Sequence, residues 1–392
     1  MIKGWLNRFN QYRHFFQKVK LFLQRSQLRN WSAQVKKVTI DDVAKRAGVS
    51  NGTVSAVINE KNIVKSETRK AVLNAMKELN YRPRGSARNL KNTAAEHSSI
   101  GLLIRELDNP FYTAIALGVM EYASSKGYLV IIASSEGDHT YEEKITQSFS
   151  DKDIKGAIIA PVLEGTAEIE HLFRLKMINF PFVLLENVKG IQANVVSIDN
   201  SRAMKEAMKY LIDNGHSRIV HFAGPKHASH TYERIDGFRR AYSESHFAYN
   251  NDMIISTGAH LEDGYKKCLE YFHNRNREDF PTAIVCYNDL VALGAMAALS
   301  ELKIRVPEEI SVLGNDDISF SKHIPVQLTT IRAPMFELGR KAAEVLIRNI
   351  ESPEPLSMEN VVLHAEFVVR KSTRALRPSP AGQLIEDYQS MS

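Results

Sequence analysis

The sequence predicts an α/β protein: a two-lobed body of parallel sheets, preceded by an all-α unit of short helices. Three observations lead there. From Ser98 to about Arg370, short apolar runs alternate with helical stretches, the pattern of strands covered by helices on both faces. That alternation runs once, then begins again after residues 195–200, which gives two series of similar topology. Ahead of it, residues 37–83 hold helical patterns with clear start and stop signals. A chain of 392 residues is long enough for two or three domains with substantial cores.

Charge divides the chain in the same place. Up to residue 95 there are 20 Lys+Arg against five Asp+Glu, a surplus of +15; within a whole-chain charge of +6, the remainder is −9. A basic segment on an acidic body is the footprint of a partner that is a polyanion, most often nucleic acid. No apolar run approaches the roughly 20 residues that span a bilayer, so no membrane partner is expected. The two cysteines, Cys268 and Cys286, give no disulfide framework and suit a reducing cytoplasm.

Residues 1–36 form a basic extension with scattered aromatics and no acidic residue. Charges interrupt each apolar run and no small-residue cleavage site follows one, so a signal peptide is not expected. The extension is read as disordered or untranslated, because Val35 stands just ahead of the first folded pattern and a valine codon can start translation in bacteria.

That first pattern is Val38–Asn59, VTIDDVAKRAGVSNGTVSAVIN. Thr39 and Asp42 make a capping pair, Val43, Ala44 and Ala47 share one helical face, and Gly48 ends the helix. Ser50 caps a second helix to about Ile58, with Val54, Val57 and Ile58 turned inward. Ser66 is expected to cap a third, whose Ala71, Val72, Ala75, Met76 and Leu79 close a small core. Tyr81-Arg82-Pro83 stops it. Two helices around a Gly turn are the layout of a helix-turn-helix, whose second helix enters the DNA major groove. Residues 84–97 read as a basic hinge and linker.

The order VTIDDVAKRAGVS…TVSAVIN, then YRP…ARNL, resembles the LacI/GalR family of bacterial transcription repressors, and the likeness continues to about Arg370. The resemblance implies double-stranded operator DNA as partner, a homodimer on a near-palindrome, and a body like that of periplasmic sugar-binding proteins. It places Asn51, Gly52 and Ala56 at base-reading positions. Thr39, Ser50, Thr53, Ser55 and Asn59 match positions that grip phosphates, which fix register rather than sequence. It also implies that Ala87, Arg88 and Leu90 lie on a minor-groove hinge helix, with Leu90 as the apolar wedge. Arg84-Gly85 departs from the family's hinge, and the bare Gly52 and Ala56 shift weight to DNA shape.

In the body, polar and aromatic clusters follow strand ends: residues 107–112, Glu186-Asn187, Tyr287-Asn288-Asp289 and Asn315-Asp316-Asp317. Ligands of open parallel sheets bind beyond those ends, so a cleft between lobes is the expected site. By resemblance, Phe111 and Tyr112 wall an effector, Arg234 and Asp316 hydrogen-bond it, and Asn288 and Glu186 add polar contacts. Asn315 stands where the family has an aromatic residue, and Ala228 and Ala259 where some members have larger groups, which implies a roomier pocket or a ligand larger than a monosaccharide. A sugar or sugar derivative fits such a fringe best; a purine or nucleoside is the alternative. Lobe 1 is assigned to about 98–198 and 334–360, lobe 2 to about 199–333 and 361–371, and 372–392 to a mobile tail.

The function expected is a cytoplasmic, nucleoid-associated operator-binding repressor under effector control. A periplasmic binding protein would need a signal peptide and no headpiece. An enzyme is not indicated: there is no nucleophile elbow or phosphate loop, and the spacing of His221, His227 and His230 is weak metal evidence, so no cofactor or metal is expected.

Overall fold

The computed structural model describes residues 39–58, 64–79, 81, 98–151, 153–162, 169–226, 228–273 and 275–376. Asn59, Ala87, Arg88, Leu90, His227 and the 1–36 extension lie outside the described residues. The chain divides into two compact units, Met1–Glu96 and His97–Ser392.

The first unit holds α1 (Ile40–Ala47), α2 (Asn51–Ile58) and α3 (Ser66–Glu78). Thr39 forms the expected capping box: its hydroxyl accepts from Asp42 N, and the Asp42 carboxylate accepts from Thr39 N at 2.8 Å. Gly48 closes α1 with φ 67°, a left-handed angle that glycine adopts at no steric cost. Ser50 caps α2, its carbonyl accepting from Val54 N at 3.1 Å and its Oγ from Thr53 N at 3.3 Å. Val43, Val54 and Val72 are fully buried at the centre of the three helices. The third helix starts differently from expectation. Lys65, not Ser66, occupies the cap position and makes no side-chain capping bond, and Ala71 is exposed rather than in the core.

The second unit contains two six-stranded sheets. The first is built from β1 (Ser99–Ile104), β2 (Leu129–Ser134), β3 (Ile154–Ile159), β4 (Phe182–Leu184), β5 (Asn194–Ile198) and β11 (Asn360–Leu363), in the order β11-β5-β4-β3-β1-β2. Helices α4 (Pro110–Ser125), α5 (His139–Ser150), α6 (Glu170–Met177) and α11 (Met335–Glu351) belong to it. The second sheet joins β6 (Ile219–Ala223), β7 (Ile254–Ser256), β8 (Ala283–Cys286), β9 (Ser311–Asp316), β10 (Thr329–Arg332) and β12 (Glu366–Val368), in the order β12-β10-β9-β8-β6-β7. Its helices are α7 (Asn200–Asp213), α8 (Ser229–Ser243), α9 (Leu261–His273) and α10 (Asp289–Glu301). Each pair is parallel except β10 with β12. Apolar layers lie on both faces of each sheet, as continuous apolar strands require.

Helix α4 packs so closely on α11 that a Cβ on Gly118 would lie 2.0 Å from Phe336 O, and one on Gly339 2.0 Å from Ile115 O. Only glycines permit this approach.

Three expectations need correction. Residues 361–371 do not all belong to lobe 2: the segment breaks after Leu363, giving β11 to the first sheet beside β5 and β12 to the second beside β10. The chain therefore crosses between sheets three times, near residues 199, 333 and 365. The tail does not start at residue 372. Ser372 is fully buried, its Oγ donating to Val312 O at 2.6 Å and accepting from Thr329 N at 2.8 Å, and Leu376 N still reaches Asn214 O at 2.8 Å. Short hydroxyl side chains saturate strand-end backbone groups in this segment, a role that Ser/Thr-rich composition hides. Finally, β2 is not covered on both faces: Leu129, Ile131 and Ile132 are 56, 45 and 37 % exposed on this edge strand.

Candidate functional site

On the headpiece, the residues expected to meet DNA lie along α2 and at the ends of the helix pair. Asn51 and Gly52 are exposed, and Thr53 and Ser55 half-buried. Ala56 is 8 % exposed, so it offers only the edge of one methyl group. Asn51 is not a free amide, since its Nδ2 donates to the Asp41 carboxylate. Ser50 and Thr53 bond to each other, Oγ to Oγ1, at 3.0 Å. A Cβ on Gly52 would meet only Ser50 Oγ, at 3.8 Å, so this position is an open patch of backbone.

In the body, a cavity of about 240 Å³ lies at the carboxyl ends of the strands of both sheets. All six residues expected at the effector site line it: Phe111, Tyr112 and Glu186 from the first sheet's side, Arg234, Asn288 and Asp316 from the second. Local chemistry explains each placement. Asn109 caps α4 by accepting from Phe111 N at 3.1 Å, with Pro110 as first helical residue, and this sets the two aromatic rings edge to face 5.2 Å apart. Asn288 caps α10 by accepting from Val291 N at 2.8 Å and donates to Ala259 O at 2.8 Å, so capping and lining are done by one side chain.

Asp316 closes β9 with φ 120° and Asp317 follows at φ 60°. Such angles cost of order 1–3 kcal/mol for non-glycine residues and persist only where surroundings enforce them. The enforcement is visible. Arg332 and Arg370 hold the Asp317 carboxylate at 2.8 and 2.6 Å, and buried Asp289 accepts from Ile318 N at 2.9 Å and Thr330 Oγ1 at 2.6 Å.

Sequence reasoning missed Arg105, Glu106, His230, Glu233 and Asn200, which also line the cavity. Arg105 directly follows β1, the signal that would have found it. It donates from Nε to Pro161 O at 2.9 Å and from Nη2 to Glu186. Its Nη1 lies 3.2 Å from Nε2 of His230 on α8, so the contact spans the two sheets. Glu106 meets His260 of the other lobe at 3.1 Å. The side chain of Asn315 turns to Asp316, donating to Oδ1 at 2.8 Å, and does not line the cavity, while Ala228 and Ala259 do.

Burial sets the site's protonation. It pushes Glu186 up to about 7 despite Arg105, Asp316 to about 6 despite Arg234, and Asp289 to about 7 with Asp316 adding repulsion. Burial drives His230 well down, helped by Arg105 and Arg234, so its ring is neutral. His260 rises to about 9 through its hydrogen bond to Glu106.

Comparison with known proteins agrees with this architecture. Residues 39–84 match the model for bacterial regulatory proteins of the lacI family, and residues 208–373 match a periplasmic binding protein-like domain. The chain is 32 % identical over 339 residues to the HTH-type transcriptional repressor PurR of Vibrio vulnificus, covering 86 % of this chain and 99 % of that one. It belongs to the lacI family of bacterial regulatory proteins. This lacI-family chain is a DNA-binding transcriptional regulator, not an enzyme. Among solved structures, a complex of the transcriptional regulator CelR with cellobiose superposes with TM-score 0.63 at 28 % identity, over 86 % of this chain and 99 % of that one. A lac repressor dimer bound to operator and the anti-inducer ONPF superposes with TM-score 0.64 at 25 % identity, over 87 and 100 %.

Proposed function

We propose that this regulator is a homodimeric repressor of a near-palindromic operator, and that an effector in the body cavity, a free sugar or sugar derivative, sets its DNA affinity. One observation carries the effector reading: the cavity joins the two sheets, with the Phe111–Tyr112 pair on one side and Arg234 with Asp316 on the other. Aromatic faces suit the apolar face of a sugar ring, and a charged fringe suits its hydroxyl rim. A ligand held from both sides favours one arrangement of the lobes, and can alter DNA affinity only by that difference. Support for the dimer comes from the exposed apolar side chains at this edge of the first sheet, Leu129, Ile131 and Ile132 on β2 and Leu117 and Met120 on α4, which packs against that strand. A patch of this kind marks an interface, and two-fold dimers read paired half-sites. Asn51, Gly52, Ala56 and the Leu90 wedge are assigned to sequence readout, and Thr39, Ser50, Thr53, Ser55 and Asn59 to phosphates. Such a protein works in the cytoplasm on the nucleoid.

The test is to map the promoter fragments that the protein retains, then titrate free sugars and nucleosides into the complex. Release or tightening by a sugar is expected; an effect of purines alone would move the assignment to a purine-responsive repressor. Sedimentation of the free protein as a monomer at micromolar concentration would contradict the dimer.

A further inference from the structure

The cavity carries a charge pattern that the general reading of a sugar site does not require. Two guanidinium groups face it, and each is already committed to a carboxylate and a carbonyl. Arg105 holds Glu186 and Pro161 O; Arg234 donates to Tyr287 O, stacks 4.6 Å from the Tyr287 ring, and has Nη2 3.7 Å from Asp316. Four carboxylates line the space, from Glu106, Glu186, Glu233 and Asp316, against those two arginines. The cationic His260 lies between Glu106 and Asp263, at 3.1 and 3.2 Å. The neutral ring of His230 accepts from Arg105 and presents Nδ1 to Glu186 at 3.4 Å, too poorly placed for a hydrogen bond. Two buried polar atoms of the lining therefore lack a hydrogen-bond partner: the acceptor Glu186 Oε2 and the donor Arg234 Nε, on residues that are each 5 % exposed.

We propose that Arg105, Glu186 and His230 determine effector specificity, selecting a molecule without phosphate or carboxylate that donates a hydroxyl or N–H to Glu186 Oε2 and accepts from Arg234 Nε. The inference rests on the reading of this cavity as the effector site. Buried polar atoms without partners are costly, and a ligand that completes both recovers that cost. An anionic group meets the opposite situation. To bind a phosphate, Arg105 must release Glu186 or Arg234 must turn from Asp316, and either leaves a buried carboxylate without its cation. Both arginines are internal ties rather than anion receptors.

The experiment titrates the full-length protein calorimetrically with ribose, glucose and cellobiose, and with ribose 5-phosphate and glucose 6-phosphate, recording operator binding in parallel. At least one free sugar binds, and the phosphate esters bind about a hundredfold more weakly or not at all. Glu186→Gln, which keeps the shape but removes the charge, weakens the free sugar about tenfold or more and, by releasing Arg105 from its carboxylate, narrows the gap between sugar and ester. An ester that binds as tightly as its parent sugar, or failure of all three free sugars, overturns the proposal. The comparison of sugar with ester uses the unaltered protein, so a Glu186→Gln variant that does not fold leaves it decisive. A sugar that binds without changing operator affinity counts against effector control and leaves the specificity inference standing; an ester that changes operator affinity does the reverse.

Discussion

The two surfaces to which recognition is assigned here, the start of α2 and the body cavity, are built on opposite principles. The exposed start of α2 is sparse: Gly52 is bare backbone, Ala56 is almost covered, and Asn51 is tied to Asp41. The body cavity is crowded, with two arginines, four carboxylates and His230 around a space of about 240 Å³. On a sparse surface, each side chain acts nearly alone, and effects add. In the crowded cavity, each group is held by others, so removing one disturbs several. The difference predicts large, coupled effects in the body and small, independent ones on α2.

The largest effect is expected at Asp316. Asp316→Ala removes the partner of Arg234 and a strained strand end, and should abolish the effector response while operator binding of the free protein stays within a few-fold. Hydrogen bonds to charged groups contribute about 1.5–3 kcal/mol, so effector affinity should fall by about tenfold to a hundredfold or more. Calorimetry checks the first part and gel-shift titration the second. Asp289→Ala should act almost as strongly on the effector, through the turn that Asp289 holds, and should also lower the melting temperature because buried donors lose their acceptor.

Packing offers the next test. Gly118→Ala forces a methyl into contact with Phe336 O and should cost about 1–3 kcal/mol, read as a lower urea midpoint. Gly52→Ala meets open space and removes a poor helix former, so it should raise headpiece stability by about 0.5–1 kcal/mol. Equal destabilisation by both would erase the contrast between the two regions.

pH gives a finer distinction. Glu186 titrates near 7 in the folded protein against 4.5 ordinarily, so the folded state holds the proton more tightly. Its contribution to stability is complete below about 4.5 and lost as pH rises through about 7. Asp316 and Asp289, raised to about 6 and about 7, act in the same direction. The melting temperature of the ligand-free body should therefore fall between about pH 5 and pH 8, and Glu186→Gln should reduce that fall. A profile that rises over this interval would contradict the assignment of buried, proton-holding carboxylates.

How much was legible in the sequence follows the same division. The helix pair of the headpiece could be read almost completely, because caps such as Thr39 with Asp42 and stops such as Gly48 act within four residues. Most strands of the body were also legible, because continuous apolar runs are local signals; β10, whose Thr329-Thr330-Ile331-Arg332 is no such run, was not. The path of the chain after residue 360 was not: nothing in VVLHAEFVV says that its halves join different sheets, which depends on β5 and β10 as neighbours. Arg105 escaped for a related reason. Its meaning comes from Glu186 and His230, 81 and 125 residues away, and no local spacing records that. Asp316 was found by resemblance, but the strain it carries appears only in the backbone.

If the crowded cavity governs the sparse DNA-binding surface, the most direct measurement is operator affinity of the full-length protein as a binding sugar is titrated, for the natural sequence and for Asp316→Ala. The expected result is a saturable change in operator affinity for the natural protein and a flat response for the variant, with equal affinities at zero sugar within a few-fold. An unchanged response in Asp316→Ala, or operator affinity lost before any sugar is added, would contradict that control.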